Sequence, residues 1–212
     1  MHETTFVADP RGGFRPRGWL LYLLFIAYPL WWALGFGPFI WPLVAVPMML
    51  SLLFQGRLKA PRGFGIWLLF LLWALVTATQ LPSADRAFAF VYRTSLYLSA
   101  TVLFLYVYNA PPRHLGVRKV VFTLAAFWGI VVVGGFLGLA FPHVSFRTVT
   151  ERALPRGFAT QPDVNALVHP KLAQLQRILP GYPAVPRPAA PFPYANGWGA
   201  NFALLTPFAL TA

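Results

Sequence analysis

The chain has 212 residues, of which 58% are hydrophobic and only 10% are charged, and its formal net charge is +12 at pH 7. Soluble domains carry about 25% charged residues, so this composition excludes an ordinary soluble domain. The chain has no cysteine, which excludes disulfide frameworks, thiolate zinc sites and cysteine nucleophiles.

Long uncharged runs separate the charged residues. Runs of 39, 22, 19 and 27 residues without Asp, Glu, Lys or Arg follow Arg17, Arg62, Arg93 and Lys119. A helix needs about 20 apolar residues to cross a hydrocarbon core of about 30 Å at about 1.5 Å per residue. The first run therefore holds two spans and each of the others holds one. We predict an all-α, polytopic transmembrane helix bundle with five complete spans.

The predicted spans, in chain order, are Gly18–Leu34, Phe39–Phe54, Phe64–Leu81, Phe88–Asn109 and Val120–Phe141. The first two spans contain prolines, which neighbouring helices tolerate and which predict kinks: Pro29, Pro42 and Pro47.

A partial sixth span follows near the end of the chain. It begins near Trp198 and reaches the last residue after 15 residues, or roughly 22 Å, which is shorter than the hydrocarbon core. We therefore expect residues 198–212 to be the start of a truncated transmembrane helix.

Nine basic residues indicate which ends of the spans face the cytoplasm. They form clusters before the first, third and fifth spans: Arg11, Arg15, Arg17, Arg57, Lys59, Arg62, Arg113, Arg118 and Lys119. These positions lie on one side of the membrane if the chain crosses it at every span, and the positive-inside rule makes that side the cytoplasm. We predict a cytoplasmic tail at 1–17, a transmembrane region at 18–141 and an extracytoplasmic loop at 142–197. The net charge thus reports topology in the cell membrane, with the lipid bilayer as partner, rather than binding to nucleic acid.

The first part of the predicted loop has a helical pattern. Asp163–Leu179 is expected to form a short amphipathic helix, because Asp163 can cap its start and leucines follow at spacings of three and four: Leu172, Leu175 and Leu179. Such a stripe would lie in the lipid interface or against the bundle.

The second part of the loop is rich in proline. Residues 180–193 read PGYPAVPRPAAPFP and are expected to be extended, polyproline-like chain. Tyr194 and Trp198 border the last apolar run and fit interfacial aromatic residues. Six basic and two acidic residues lie in 142–197. This charge suits a solvated surface and a surface for an anionic ligand equally well.

Several motifs resemble a known family. Residues 187–202 read RPAAPFPYANGWGANF, with VHP at 168–170 and AQ at 173–174 upstream. They resemble the outer-loop region of actinobacterial O-antigen ligase-like proteins, in a wider family of O-antigen ligases and O-antigen polymerases. The runs YLSATVLFLYV at 97–107 and VVVGGFLG at 131–138 are similar to its transmembrane part. The resemblance covers the N-terminal part of such a protein.

The resemblance implies a membrane glycosyltransferase that moves a glycan from a polyprenyl-pyrophosphate donor to a glycan or lipid acceptor outside the cytoplasmic membrane. Full-length relatives continue through further helices and a second large outer loop, so this chain is expected to transfer no glycan alone. The pyrophosphate leaving group gains negative charge during transfer, and fixed cations stabilise charge where it develops. Arginine suits this role because its planar fork binds phosphate oxygens and stays protonated.

Five residues are candidates for this chemistry. Arg93 lies five residues inside the fourth predicted span, roughly 8 Å along its axis, and Arg86 lies two turns earlier on nearly the same face. Arg187 and Asn196 belong to the family-like run. We assign these four residues to substrate binding and His169, in VHP, to the role of a catalytic base. The alternative interpretations are that the arginines only extend to the interface and that the histidine is structural.

The sequence leaves other classes of function open. It has no Asp-x-Asp pair, glycine-rich phosphate loop or metal-ligand spacing of histidines, so we expect neither nucleotide-sugar chemistry nor a metal or other cofactor. A non-enzymatic transporter or lipid flippase component is the alternative, and it predicts ionisable residues near the bilayer midplane and paired repeats. A membrane anchor or scaffold is a third class, which leaves the patterned loop unexplained.

Overall fold

The computed structural model describes residues 18–54, 58–81, 85–111, 115–177 and 179–212 and is mostly helical. The helices in these ranges are α1 Trp19–Phe25, α2 Tyr28–Leu34, α3 Ile40–Phe54, α4 Phe64–Val76, α5 Asp85–Asn109, α6 Val117–Ala140, α7 Val149–Ala153, α8 Arg156–Ala159, α9 Pro162–Val168 and α10 Ala195–Thr211. A 3-10 helix at Thr77–Gln80 extends α4, and two strands, β1 Ala173–Gln176 and β2 Val185–Pro188, form an antiparallel ribbon. The predicted tail at 1–17 and five of the nine predicted topology residues lie outside the described residues: Arg11, Arg15, Arg17, Arg57 and Arg113.

The first predicted span is interrupted. It consists of α1 and α2, separated by a turn at residues 26–27. Pro29 has no N–H to donate to the carbonyl of Phe25, so the helical ladder cannot continue through this point. Pro47, by contrast, lies inside α3 without ending it.

Three helices begin earlier than predicted. α5 begins at Asp85, α6 at Val117 and α10 at Ala195, each three residues before the predicted start. In every case the additional turn contains polar or small residues that a search for apolar runs leaves out. Arg93 consequently lies about 12 Å along α5 rather than about 8 Å.

Among the described residues, two helices, α5 and α6, are long and apolar enough to cross a membrane. α3 has 15 residues, which correspond to about 22 Å of helix, and α4 with its 3-10 extension is of similar length. α1 and α2 have seven residues each. Length and composition of the described helices thus support two candidate spans.

The helices α1, α3, α5, α6 and α10 pack around an aromatic core. Tyr28 and Phe127 are almost completely buried and contact each other edge to face, with 5.4 Å between ring centroids. α10 lies along α6, where Trp198 Nε1 donates to the carbonyl oxygen of Val131 at 2.8 Å. Trp198 is therefore fixed against α6 by this hydrogen bond, and its place among interfacial aromatic residues stays a prediction.

α4 contributes little to this core. Leu71 is the one buried residue among its 13, and its large apolar side chains point away from the bundle, with Ile66 74% exposed and Trp73 66% exposed. Only 11% and 28% of the most apolar stretches of α5 and α6 is buried inside the protein, and the other residues there are half-buried or exposed. The bundle therefore presents an apolar outer surface.

The two ends of the bundle differ. One end carries the segment 142–194, and we call it the loop end; there Thr150 Oγ1 donates to the carbonyl oxygen of Leu34 at 2.8 Å. At the opposite end, which we call the far end, the side chain of Asn109 makes two hydrogen bonds with the backbone of Lys59. The segment 142–194 is thus folded onto one end of the helices.

The predicted helix at Asp163–Leu179 is wrong beyond Val168. Helix α9 ends there, and residues 173–176 form strand β1 instead. The cause is Pro170, because a residue that precedes proline is driven out of the α region. His169 accordingly has φ −109° and ψ 85°.

The proline-rich chain supplies the second strand. It is extended as predicted, but residues 185–188 pair with β1 in a register that matches Ala173 with Pro188 and Gln176 with Val185. Proline is tolerated because each strand of a two-stranded ribbon has a free edge.

Candidate functional site

A row of glycines on α6 brings the loop close to the helix. A Cβ built on Gly134 would lie 2.3 Å from the carbonyl oxygen of Ala190, and one built on Gly138 would lie 2.5 Å from that of Leu172. A Cβ built on Gly135 would likewise lie 2.5 Å from the indole ring of Trp198. The glycines of VVVGGFLG and the motif RPAAPFPYANGWG are therefore two sides of one contact.

A cleft of about 630 Å³ opens beside this contact at the loop end. We call it the basic cleft, because its polar wall includes Lys171 and Arg187. The other polar side chains that line it are His143, Ser145, Gln174 and Gln176. It lies between the chain that leaves α6 and the ribbon β1–β2.

Arg187 projects from β2 and is exposed. Its Nη1 donates to Gln176 Oε1, and its Nη2 donates to Asn196 Oδ1 at 3.0 Å. Both acceptors are neutral amides, and these contacts use two of the five N–H donors of a guanidinium group. The structure brings Arg187 and Asn196 together, and it leaves the charge of Arg187 without a neutralising carboxylate among these contacts.

Arg93 interacts with the residue that precedes α10. It is exposed on α5, and its interaction with that residue, Tyr194, is electrostatic. Partial burial raises the pKa of the Tyr194 phenol, the charge of Asp163 raises it further, and the positive charge of Arg93 opposes this shift. Arg187 thus contacts the first turn of α10, Arg93 interacts electrostatically with the residue before it, and Arg86 is exposed in the first turn of α5.

His169 belongs to a separate hydrogen-bonded group. Its Nδ1 lies 2.9 Å from Glu151 Oε2, and its Nε2 lies 3.2 Å from Ser145 Oγ. Ser145 also lines the basic cleft, so His169 contacts the cleft wall through this hydroxyl group. Glu151 and Ser145 were not predicted, because they lie 18 and 24 residues from His169 with no recognisable spacing.

Thr148 holds this group in place. It is 2% exposed, and its Oγ1 accepts from the N–H of Glu151 at 3.1 Å and donates to the carbonyl oxygen of Val168 at 2.7 Å. One hydroxyl group therefore joins the start of α7 to the end of α9. Gly35 lies against it with φ +85°, so close that a Cβ there would be 2.3 Å from Thr148 Oγ1.

A second cleft of about 570 Å³ has Glu151 in its wall. Arg147, Arg152 and Arg156 line it, and Arg147 Nε is 3.9 Å from Glu151 Oε1. Cations therefore flank the Ser145–His169–Glu151 group on two sides.

Comparison of the chain with protein-family models, with curated proteins and with solved structures gives no match.

Proposed function

We propose that this chain is a multi-pass protein of the cell membrane and forms part of a glycosyltransferase of the O-antigen ligase and polymerase type. In this proposal at least the five predicted spans cross the bilayer, with the N-terminus in the cytoplasm and the loop end outside. The glycan passes from a polyprenyl-pyrophosphate donor to a glycan or lipid acceptor at the loop end. The observation that carries the proposal is Arg187, an exposed cation held by two neutral amides beside a basic cleft at one end of an apolar bundle.

The exposed apolar surface supports membrane insertion. A core helix in a soluble protein is mostly buried, whereas α5, α6 and α4 direct large apolar side chains outward. Contiguous apolar patches of this kind mark contact with lipid or with another protein. A signal sequence is also an unsuitable explanation for α5 and α6, because they begin at Asp85 and Val117, far from the N-terminus.

The charged residues at the two ends support the orientation. At the far end, Lys59 lies beside the end of α5, and Arg118 and Lys119 lie in the first turn of α6. Short basic connections of this kind remain in the cytoplasm, whereas a long loop can be translocated despite its charge. The loop end would then face the leaflet where a lipid-linked glycan donor presents its pyrophosphate.

The cations at the loop end suit a pyrophosphate group. Arg187 keeps a guanidinium fork available at the cleft, and Lys171 adds a second positive charge to the same wall. Arg93 interacts electrostatically with Tyr194, the residue before α10. Asn196, in the first turn of α10, accepts a hydrogen bond from Arg187. In this proposal Arg93, Arg187 and Asn196 bind the donor phosphates, with Arg86 at the entrance from the membrane.

The proposal is tested by donor binding to the purified chain in lipid nanodiscs. Undecaprenyl pyrophosphate is the ligand, and the uncharged polyprenol is the comparison that measures binding of the lipid chain alone. A hydrogen bond to a charged group contributes about 1.5–3 kcal/mol. Arg187→Ala should therefore weaken binding by roughly 10- to 100-fold, and Arg93→Ala should act in the same direction.

Two controls separate recognition from nonspecific charge. Lysine at either position should restore binding only in part, because an ammonium group lacks the bidentate fork. Arg177→Ala removes a cation that is also exposed and lies next to β1 but outside the basic cleft, and it should leave binding unchanged. The proposal is contradicted if the wild type, Arg187→Ala and Arg93→Ala bind undecaprenyl pyrophosphate with equal affinity. If the wild type binds the uncharged polyprenol as tightly as the pyrophosphate, a lipid-transport function is favoured.

A further inference from the structure

Three side chains at the loop end form a continuous hydrogen-bonded chain. Ser145 Oγ lies 3.2 Å from His169 Nε2, and His169 Nδ1 lies 2.9 Å from Glu151 Oε2. A neutral imidazole with its proton on Nδ1 donates to the carboxylate and accepts from the hydroxyl group. A hydroxyl bonded to a base that a third group orients is the arrangement that activates serine for acyl transfer.

The three side chains become less exposed from Ser145 to His169 to Glu151. Ser145 is exposed at the wall of the basic cleft, the His169 side chain is 22% exposed, and that of Glu151 is 14% exposed. The hydroxyl group is therefore accessible to a ligand in the cleft, while the carboxylate is largely shielded from water. Shielding strengthens the interaction between the carboxylate and an imidazolium ion that forms during reaction.

Lys171 stands next to the hydroxyl group. Ser145 and Lys171 are opposite each other in an antiparallel bridge whose hydrogen bonds are made by their neighbours, from Phe146 to Pro170 and from Leu172 to Val144. In such a non-hydrogen-bonded pair the two Cα atoms are about 4.5 Å apart and the side chains are adjacent. The ammonium group of Lys171 is thus placed to stabilise negative charge that develops on an oxygen beside Ser145.

From this geometry we infer that Ser145, His169 and Glu151 form a nucleophilic triad that removes small acyl groups from esters. The polar, basic wall suits an acyl group carried by an anionic or hydroxyl-rich molecule such as an acylated glycan, rather than a fatty acyl chain. The triad itself includes none of the arginines assigned to donor binding, so its test can succeed or fail independently of the proposed glycan transfer.

The reaction follows from the positions of the three residues. Ser145 Oγ attacks the carbonyl carbon of the ester while its proton passes to His169 Nε2, and Glu151 stabilises the resulting imidazolium ion. The ester C–O bond then breaks, and the departing alcohol takes the proton from His169. Water attacks the acyl–serine ester by the same route, which releases the carboxylic acid and regenerates the Ser145 hydroxyl group.

A biotinylated fluorophosphonate tests the inference on the 212-residue chain in nanodiscs. This probe phosphonylates an activated serine with loss of fluoride, and peptide mass spectrometry identifies the labelled residue. The wild type should be labelled at Ser145, and Ser145→Ala should abolish the labelling. His169→Ala and Glu151→Gln should each slow it by at least about tenfold, as expected for a lost general base or a lost orienting group.

Arg177→Ala is the matched control. Arg177 is exposed next to β1 but lies outside the basic cleft and outside the hydrogen-bonded chain, so its removal should leave the labelling rate unchanged. The inference is overturned if the wild type takes no label, or if His169→Ala is labelled as fast as the wild type.

A second measurement uses the absence of cysteine from the chain. Ser145→Cys introduces a single thiol, which His169 should activate by accepting its proton. Its alkylation by iodoacetamide at neutral pH should be at least about tenfold faster in the single variant than in S145C/H169A, whereas S145C/R177A should react like the single variant. Equal rates in all three proteins would show that His169 only anchors the loop and would refute the triad.

Discussion

The buried hydroxyl group of Thr148 allows a direct test of how the loop end is held together. Thr148→Val keeps the size and shape of the side chain and removes both hydrogen bonds, to the N–H of Glu151 and to the carbonyl oxygen of Val168. Loss of the cap on α7 costs about 1 kcal/mol, and an unpaired buried carbonyl costs about 1–3 kcal/mol. The free energy that keeps α7 and α9 closed should therefore fall by roughly 2–4 kcal/mol.

Hydrogen–deuterium exchange measured by mass spectrometry gives the readout. A loss of 2–4 kcal/mol should accelerate exchange of the amides in α7 and α9 by roughly 30- to 700-fold. Exchange in α6 serves as an internal reference, because α6 lies outside the region that Thr148 joins. Thr148→Ser keeps the hydroxyl group and should remain close to the wild type. If Thr148→Val exchanges like Thr148→Ser, or if exchange rises equally in every helix, the assigned role of this hydroxyl group is wrong.

Two further predictions concern packing and topology. Gly134→Ala places a Cβ 2.3 Å from the carbonyl oxygen of Ala190, a backbone atom, so it should destabilise the protein by about 1–3 kcal/mol in a thermal unfolding assay in detergent. Gly129→Ala, on the same helix with open space around its Cβ, should be neutral or stabilising, and an equal loss in both variants would exclude the contact as the cause. For topology, Lys171→Cys should react with a membrane-impermeant thiol reagent in intact cells, whereas Lys59→Cys should not. The reverse pattern of labelling would require the opposite orientation.

Most of the helices were predictable from the placement of charge. The uncharged runs after Arg62, Arg93 and Lys119 each contain the helix expected of them, because a long apolar stretch has few alternatives to helix. The run after Arg17 contains α3 as expected, but α1 and α2 in place of a single first helix. The starts were less accurate, since the first turn of α5 carries Asp85 and Arg86, which a search for uncharged residues omits. Helix ends with polar first turns are ordinary, so the apolar run marks the middle of a helix better than its boundary.

The loop shows where a periodic pattern fails. Leu172, Leu175 and Leu179 have helical spacing, yet residues 173–176 form a strand. Spacing reports only that three side chains could share a helix face, whereas Pro170 determines that the helix cannot reach them. Weighting that proline more heavily than the leucines would have given the correct end of α9.

The candidate site was predictable in part. Arg187 and Asn196 lie nine residues apart in one family-like run, and their contact joins a strand to the following helix. The partners of His169 were out of reach of sequence reasoning, because the packing of α7 against α9 brings Glu151 to it and the bridge between Ser145 and Lys171 brings Ser145. Serine and glutamate are common surface residues, and only their distances to the imidazole distinguish them from others.

The glycine row on α6 also determines how far the basic cleft stands from the membrane. Gly138 lies two residues before the end of α6 and contacts the carbonyl oxygen of Leu172. The residue before Leu172, Lys171, lines the cleft. For a chain inserted as proposed, the cleft is therefore mounted directly on the helix end, without a flexible tether between the two. The cleft would then accept a reacting group only if that group lies at a particular distance from its lipid anchor. Substrates with the same chemistry but a longer or shorter spacer between lipid and reacting group would be discriminated by length alone.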